Sequence, residues 1–255
     1  MSKLLEGKTA LILGIANKWS LAYAIAQAFA RERARLVLTY LGERQKESIE
    51  ELSKGFEVAA ILPCDVTRDE DLAALTASLR ALGRLDAVVH SLAFANREDL
   101  SRPFLQTGRD GFLLAQNVSA YSLVAVARAT ADLMTEGGSL TTLTYLGSTR
   151  VLVGYNVMGV AKAALEASMR YLAENLGPRG IRVNAISAGA VKTASARAVK
   201  DFSSMLEAAP KKAPLRRNTD PAEVADAAVF LASHLGRGVT GNVLFVDSGM
   251  QIMGF

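Results

Sequence analysis

The sequence predicts a single-domain α/β protein, spanning 1–255, built as a doubly wound parallel sheet of about seven strands with helices on both faces. Three observations predict it. Short apolar runs rich in β-branched residues alternate with longer helical stretches. Most of those runs are continuous rather than alternating, as strands buried on both faces require. Strict alternation of strand and helix implies parallel pairing through right-handed crossovers.

The elements follow in order. Strands are read at 9–15 (TALILGI), Arg35–Tyr40 (RLVLTY), 58–62, 85–91 (LDAVVHS), 139–145 (SLTTLTY), 182–187 (RVNAIS) and 242–247 (NVLFVD). Helices are read at 20–33, Asp69–Leu82, 119–134, 155–176 and 221–233. Asp220 before Pro221 is a helix N-cap followed by a first-turn proline.

Composition narrows the function. The net charge of +4 is too mild to imply nucleic acid, and no arginine-rich or aromatic-interleaved run supports that partner. No apolar run approaches the ~18–20 residues of a bilayer span, so no membrane insertion is expected. The opening residues show only a short apolar stretch and no small-residue cleavage site, so a cytoplasmic location is expected. One cysteine, Cys64, rules out an internal disulfide and a thiolate metal cluster, and with only two histidines no histidine-rich metal site is expected. His90, inside an apolar strand, reads as a satisfied core residue, and His234 as a residue of a late helix.

Doubly wound sheets bind ligands beyond the carboxyl ends of their strands, so the residues after each strand carry the functional reading. Gly14 to Ala22 follow the first strand and open into a helix, whose N-terminus near Ser20 offers N–H donors to a pyrophosphate. The G-x-G-x-x-G fingerprint is missing, since Gly14 is the only glycine of that loop. Asp65 and Val66 follow the third strand. Asp65 could accept from an adenine amino group, but its position favours a cap on the helix that starts near Arg68. Ser91, Leu92 and Ala93 follow the fourth. Tyr155 and Lys162, two helical turns apart, project from one helix face. A lysine beside a phenol is expected to lower the phenol's pKa from about 10 and so fit it for proton donation.

Together these residues resemble the short-chain dehydrogenase/reductase family, with its Rossmann-type sheet, and more narrowly its NADH-dependent enoyl-[acyl-carrier-protein] reductases of bacterial fatty acid synthesis. The resemblance rests on the wide-spaced loop Gly14-x5-Ser20-x-Ala22, on Tyr145 and Tyr155 with Lys162, and on three blocks. These are YNVMGVAKAALEASMRYLAENLGPRGIRVNAISAGAVKT, SAYSLVAVARA and the ending TGNVLFVDSGMQIMGF. The chain departs from the family pattern at Ala93 (often Gly), Ala190 (often Pro) and Asn117 (often an acid).

The resemblance implies that Tyr155, Lys162 and Tyr145 are catalytic. It implies a cofactor site of Gly14, Ser20, Leu21, Asp65, Val66, Ser91, Leu92, Ala93, Lys162, Val191 and Thr193. It implies substrate contacts from Ala95, Tyr145, Tyr155, Met158, Ala196 and Phe202, with a substrate-binding loop at about 194–206. The cofactor implied is NAD, as NADH in preference to NADPH, because no charge at Thr39–Gly42 awaits a 2′-phosphate; Arg44, just beyond, is the cation placed to reach such a group. The partner implied is an enoyl-acyl carrier protein, docked near Lys192, Arg197 and above all Lys200. The resemblance also implies a homotetramer in which the helices at 119–134 and 155–176 pack against their copies, which the apolar content of those helices suits. Two rival readings stand beside this one. One is a ketoreductase in which Thr142 takes the place of a carbonyl-binding serine; the other is a catalytically silent dinucleotide-binding protein.

Overall fold

The computed structural model of the chain describes residues 3–191 and 202–254. Seven parallel strands form one sheet in the order β3-β2-β1-β4-β5-β6-β7. They are β1 (Thr9–Leu13), β2 (Arg35–Tyr40), β3 (Val58–Pro63), β4 (Ala87–His90), β5 (Gly138–Thr144), β6 (Ile181–Ala188) and β7 (Val243–Val246). The order reverses between β1 and β4, which opens a crevice at their carboxyl ends.

Both faces of the sheet are buried, which explains the continuous apolar runs. Along β1 the side chains alternate: Leu11 and Leu13 join one core, Ala10 and Ile12 the other. The Leu11 side is covered by α3 (Asp69–Leu82), α6 (Ser122–Thr130) and α7 (Asn156–Leu176), which contribute Leu75, Val126 and Leu165. The Ile12 side is covered by α1 (Leu21–Arg31) and α9 (Pro221–Ala232), which contribute Phe29 and Val229. The remaining helices are α2 (Glu43–Leu52), α4 (Arg97–Ser101), α5 (Arg109–Gln116) and α8 (Phe202–Lys212). Asp220 caps α9 in a full capping box with Glu223.

Four differences from the sequence reading bear on the site. β1 stops at Leu13 instead of residue 15, because Gly14 leaves the strand at φ +103°. The helix expected over 119–134 instead continues α5 through a π turn at Asn117–Tyr121, regains α geometry from Ser122 and ends in a 3₁₀ turn at Ala131–Leu133. The loop expected over 194–206 gives way to helix from Phe202 onward. Asp65 does not cap α3: its Oδ1 accepts from the Thr67 backbone N–H and hydroxyl, at 2.9 and 2.7 Å, while Arg68 occupies the N-cap position.

Candidate active site

Gly14 makes the bottom of the crevice. A Cβ there would lie 2.1 Å from the Ser91 carbonyl oxygen and 3.4 Å from Leu92 Cδ2, so the β1 and β4 exits touch backbone to backbone. Ser20 is the N-cap residue of α1, but its hydroxyl donates back to the Asn17 carbonyl at 2.7 Å and caps nothing. The first N–H groups of α1, beginning at Leu21, are thus left without a side-chain acceptor, and no acid stands in that turn. That donor set fits a pyrophosphate. Ser20 and the buried Val191 line one cleft of about 890 Å³ together with Lys18, Trp19 and Thr219.

Gln45 ties the crevice to the next strand, a link sequence reasoning missed. Its Nε2 donates to the Ile15 carbonyl at 2.8 Å, and its Oε1 accepts from Leu41 N at 2.7 Å. Nearby, Lys46 pairs with Glu43 at 3.7 Å and sits 5.8 Å from the Tyr40 ring centroid. Asp65 and Val66 stand beyond, at the end of β3.

The other end of the crevice, where Tyr155 and Lys162 lie, spans β4, β5 and α7. Tyr155, the N-cap residue of α7, is buried and meets the Tyr145 ring edge to face, with centroids 5.3 Å apart. Met158 is buried in the same apolar cluster, against which Ala93, Ala95 and Tyr145 pack. Lys162 is also buried, and its Nζ donates to the Leu143 carbonyl at 2.8 Å. Burial pushes Lys162 down to about 8, with Glu166 opposing. Thr193 and Ala196 lie outside the described residues, as do Lys192, Arg197, Lys200 and the side chain of Phe202.

Electrostatics correct one expectation. Tyr155 does not have a lowered pKa: burial, and then Tyr145, push it above its ordinary value. Burial sets the direction, and the Lys162 ammonium is turned to the Leu143 carbonyl. Tyr145 is likewise raised, by burial and then by Asp247. Both phenols therefore keep their protons at neutral pH, and a neutral phenol is a hydrogen-bond donor.

Two structural groups hold these residues in place. A Cβ on Gly147 would lie 2.4 Å from Cδ1 of the Tyr155 ring, so this glycine lets the ring close down on the β5–α7 turn. Gly147→Ala is expected to displace the ring and to lower kcat roughly 10-fold or more. NADH affinity should hold, as read by stopped-flow rates beside fluorescence titration. Ser119, in the π turn, exchanges bonds with the Phe94 backbone: Phe94 N donates to its Oγ at 2.9 Å, and that Oγ donates to Phe94 O at 3.1 Å. It thereby fixes the segment that carries Ala93 and Ala95. No spacing rule exposes either residue, because each acts through a contact outside the periodicity of its own element.

His90 is fully buried and bonded at both nitrogens, Nδ1 to Thr142 Oγ1 at 2.9 Å and Nε2 to Ser122 Oγ at 2.8 Å. Ser122 spends its one proton on the Val118 carbonyl at 2.6 Å. His90 must therefore donate from Nε2 and accept at Nδ1, which assigns the tautomer and turns the Thr142 proton inward. The core reading of His90 holds. Thr142 is fully buried in this network, with its hydroxyl bonded to His90. Among the described residues no cluster of three or more His, Cys, Asp or Glu side chains could hold a metal ion.

The geometry has named counterparts. The family model described as "Enoyl-(Acyl carrier protein) reductase" matches residues 14–251. A Bacillus cereus protein named "Enoyl-[acyl-carrier-protein] reductase [NADH] FabI" is 53% identical over 255 residues, covering 99% of this chain and 100% of its own. A Staphylococcus aureus protein named "Enoyl-[acyl-carrier-protein] reductase [NADPH] FabI" is 47% identical over 250 residues, covering 97% and 98%. The crystal structure of the Bacillus cereus reductase with NADP+ and indole naphthyridinone superposes with a TM-score of 0.97 at 53% identity, over 99% of this chain and 100% of that one. The chain belongs to the enoyl-(acyl carrier protein) reductase family.

Proposed function

We propose that this chain is an NADH-dependent enoyl-[acyl-carrier-protein] reductase, reducing trans-2-enoyl thioesters in the last step of the fatty acid elongation cycle. The observation that carries the reading is the pairing of a protonated, buried Tyr155 with a Thr142 turned away into the core. Bound NADH supplies the hydride that reaches the substrate's β-carbon. Negative charge then develops on the thioester oxygen, and the Tyr155 phenol donates to it. A neutral donor suits a charge that appears only during the reaction, because it costs nothing to hold in the resting site. Lys162 holds the cofactor's ribose hydroxyls and adds positive potential. Tyr145, Met158, Ala95, Ala196 and Phe202 shape the acyl pocket, while Gly14, Ser20, Leu21, Asp65, Val66, Ser91, Leu92, Ala93, Val191 and Thr193 hold the dinucleotide.

The ketoreductase rival needs a hydroxyl at residue 142 free to bind a ketone, and this one is committed to His90. Tyr155→Phe is expected to lower kcat on an enoyl thioester ~10-fold or more with NADH binding retained. An unchanged kcat would take Tyr155 out of the mechanism. Paired assays with crotonyl and acetoacetyl thioesters, following NADH oxidation, should show turnover of the enoyl substrate alone.

The assembly proposed is a homotetramer. Leu113 of α5, Tyr121 of the π turn, Tyr171 of α7 and Phe245 of β7 are exposed in the single chain, and a second copy would cover them. Light scattering at micromolar concentration should give four chains; a monomer would sink the proposal. The acidic carrier docks by charge, with Lys200 its main contact. Among the described residues no helix is long and apolar enough to cross a membrane.

A further inference from the structure

Two consecutive residues at the end of β5 hold two residues one turn apart on α7. The Leu143 carbonyl accepts from Lys162 Nζ at 2.8 Å, and Thr144 Oγ1 donates to Glu166 Oε1 at 2.6 Å. Lys162 is 5% exposed and Glu166 6%, so both charges are desolvated. A carboxylate buried this deeply is costly unless something requires it. Thr144 immediately precedes Tyr145, and Lys162 follows Tyr155 on the same helix, so the clamp joins the two segments that carry the proposed site.

We propose that Thr144 and Glu166 form a positioning pair that keeps Lys162 charged and fixes α7 in register on the end of β5. The inference rests on the reading of Lys162 as a site residue.

The surroundings leave this task to Glu166. His90 faces Lys162 from β4 and is neutral, since burial and then Lys162 hold it down to about 3. Tyr145 and Tyr155, at the β5–α7 turn, are both raised and protonated. Asp247, at the end of β7, turns its oxygens to the N–H groups of Gly249 and Gln251. Arg182 of β6 points away, to the carbonyls of Gly236 and Val239. On α4 the ion pair of Glu98 with Arg102 is on the surface, and Asp99 accepts from Asn96. Arg109 and Asp110 of α5 and Arg128 of α6 are exposed. Burial pulls Lys162 from 10.5 to about 8 even with Glu166 acting against it. Without that carboxylate, burial acts unopposed and the ammonium loses its proton at still lower pH.

Glu166→Gln tests this, since the amide oxygen can still accept from Thr144 while the charge is gone. The Lys162 side-chain resonance, assigned by comparison with Lys162→Met, is followed by NMR against pH, beside the pH profile of kcat/KM. The Lys162 midpoint is expected to fall by about 1 pH unit or more, and the basic limb of the profile to fall with it, so that the loss of activity grows with pH. Thr144→Val should move both the same way by less, and Thr144→Ser should restore the parent profile. A Lys162 midpoint unchanged in folded Glu166→Gln overturns the proposal. So does a loss equal at every pH with a lowered Tm, which is a structural role alone. Should Glu166→Gln not fold, a parent-like profile in Thr144→Val overturns it. A midpoint that moves without the basic limb upholds the pair and removes Lys162 from the catalytic reading instead.

Discussion

Gly14→Ala is expected to abolish measurable NADH binding and to destabilise the fold by roughly 3 kcal/mol or more. The residue sits at φ +103°, a conformation costly for any side chain, and the added Cβ would lie 2.1 Å from the Ser91 oxygen and 2.8 Å from its carbonyl carbon. Nothing flexible stands in the way, so the relief must come from the backbone. The two strands concerned are locked in register, Leu13 against His90, with Ser91 N donating to Leu13 O at 3.1 Å. Opening them displaces the loop that presents Ser20 and the α1 N-terminus. Fluorescence titration with NADH and a thermal melt check both halves, and parent-like values in each would show that the loop yields freely.

The same glycine shows how far the sequence could be read. That it lay at a strand exit before a helix was legible from periodicity; that it allows two strand exits to touch was not, because Ser91 is distant in sequence. Strand and helix positions followed from patterns local to each element, and they deviate mainly at exits, where single residues such as Gly14 decide. The pair Tyr155 and Lys162 was legible because it lies on one helix, where spacing fixes the face. Its chemistry was read with the wrong sign, since spacing says nothing about burial, and burial raises Tyr155. Gln45, Ser119, Gly147 and Glu166 were silent for one reason: each works by reaching another element. The π turn at Asn117–Tyr121 was equally silent, as its residues read as ordinary helix.

His90 supports the second large effect, a loss of stability in acid. Unfolded, its imidazole takes a proton below its ordinary value of 6.5; folded, burial and then Lys162 hold it down to about 3. Between those values the unfolded chain binds the extra proton, so stability rises with pH across the window. The contribution is complete above pH 6.5 and is lost progressively as pH falls toward 3. It amounts to on the order of 5 kcal/mol over the whole window, and about 3 kcal/mol by pH 4.5. Burial is the main reason for a neutral ring; the network adds to it, since a protonated Nδ1 would make Thr142 turn its proton from the ring to the His90 carbonyl at 3.2 Å. His90→Gln keeps a polar group for Ser122 and Thr142 but cannot titrate. Urea unfolding between pH 7 and pH 4 should show the parent losing stability more steeply than His90→Gln, by up to one proton in slope. Parallel slopes would mean that His90 charges in the folded protein near its ordinary value, and that the buried network is looser than its short bonds imply.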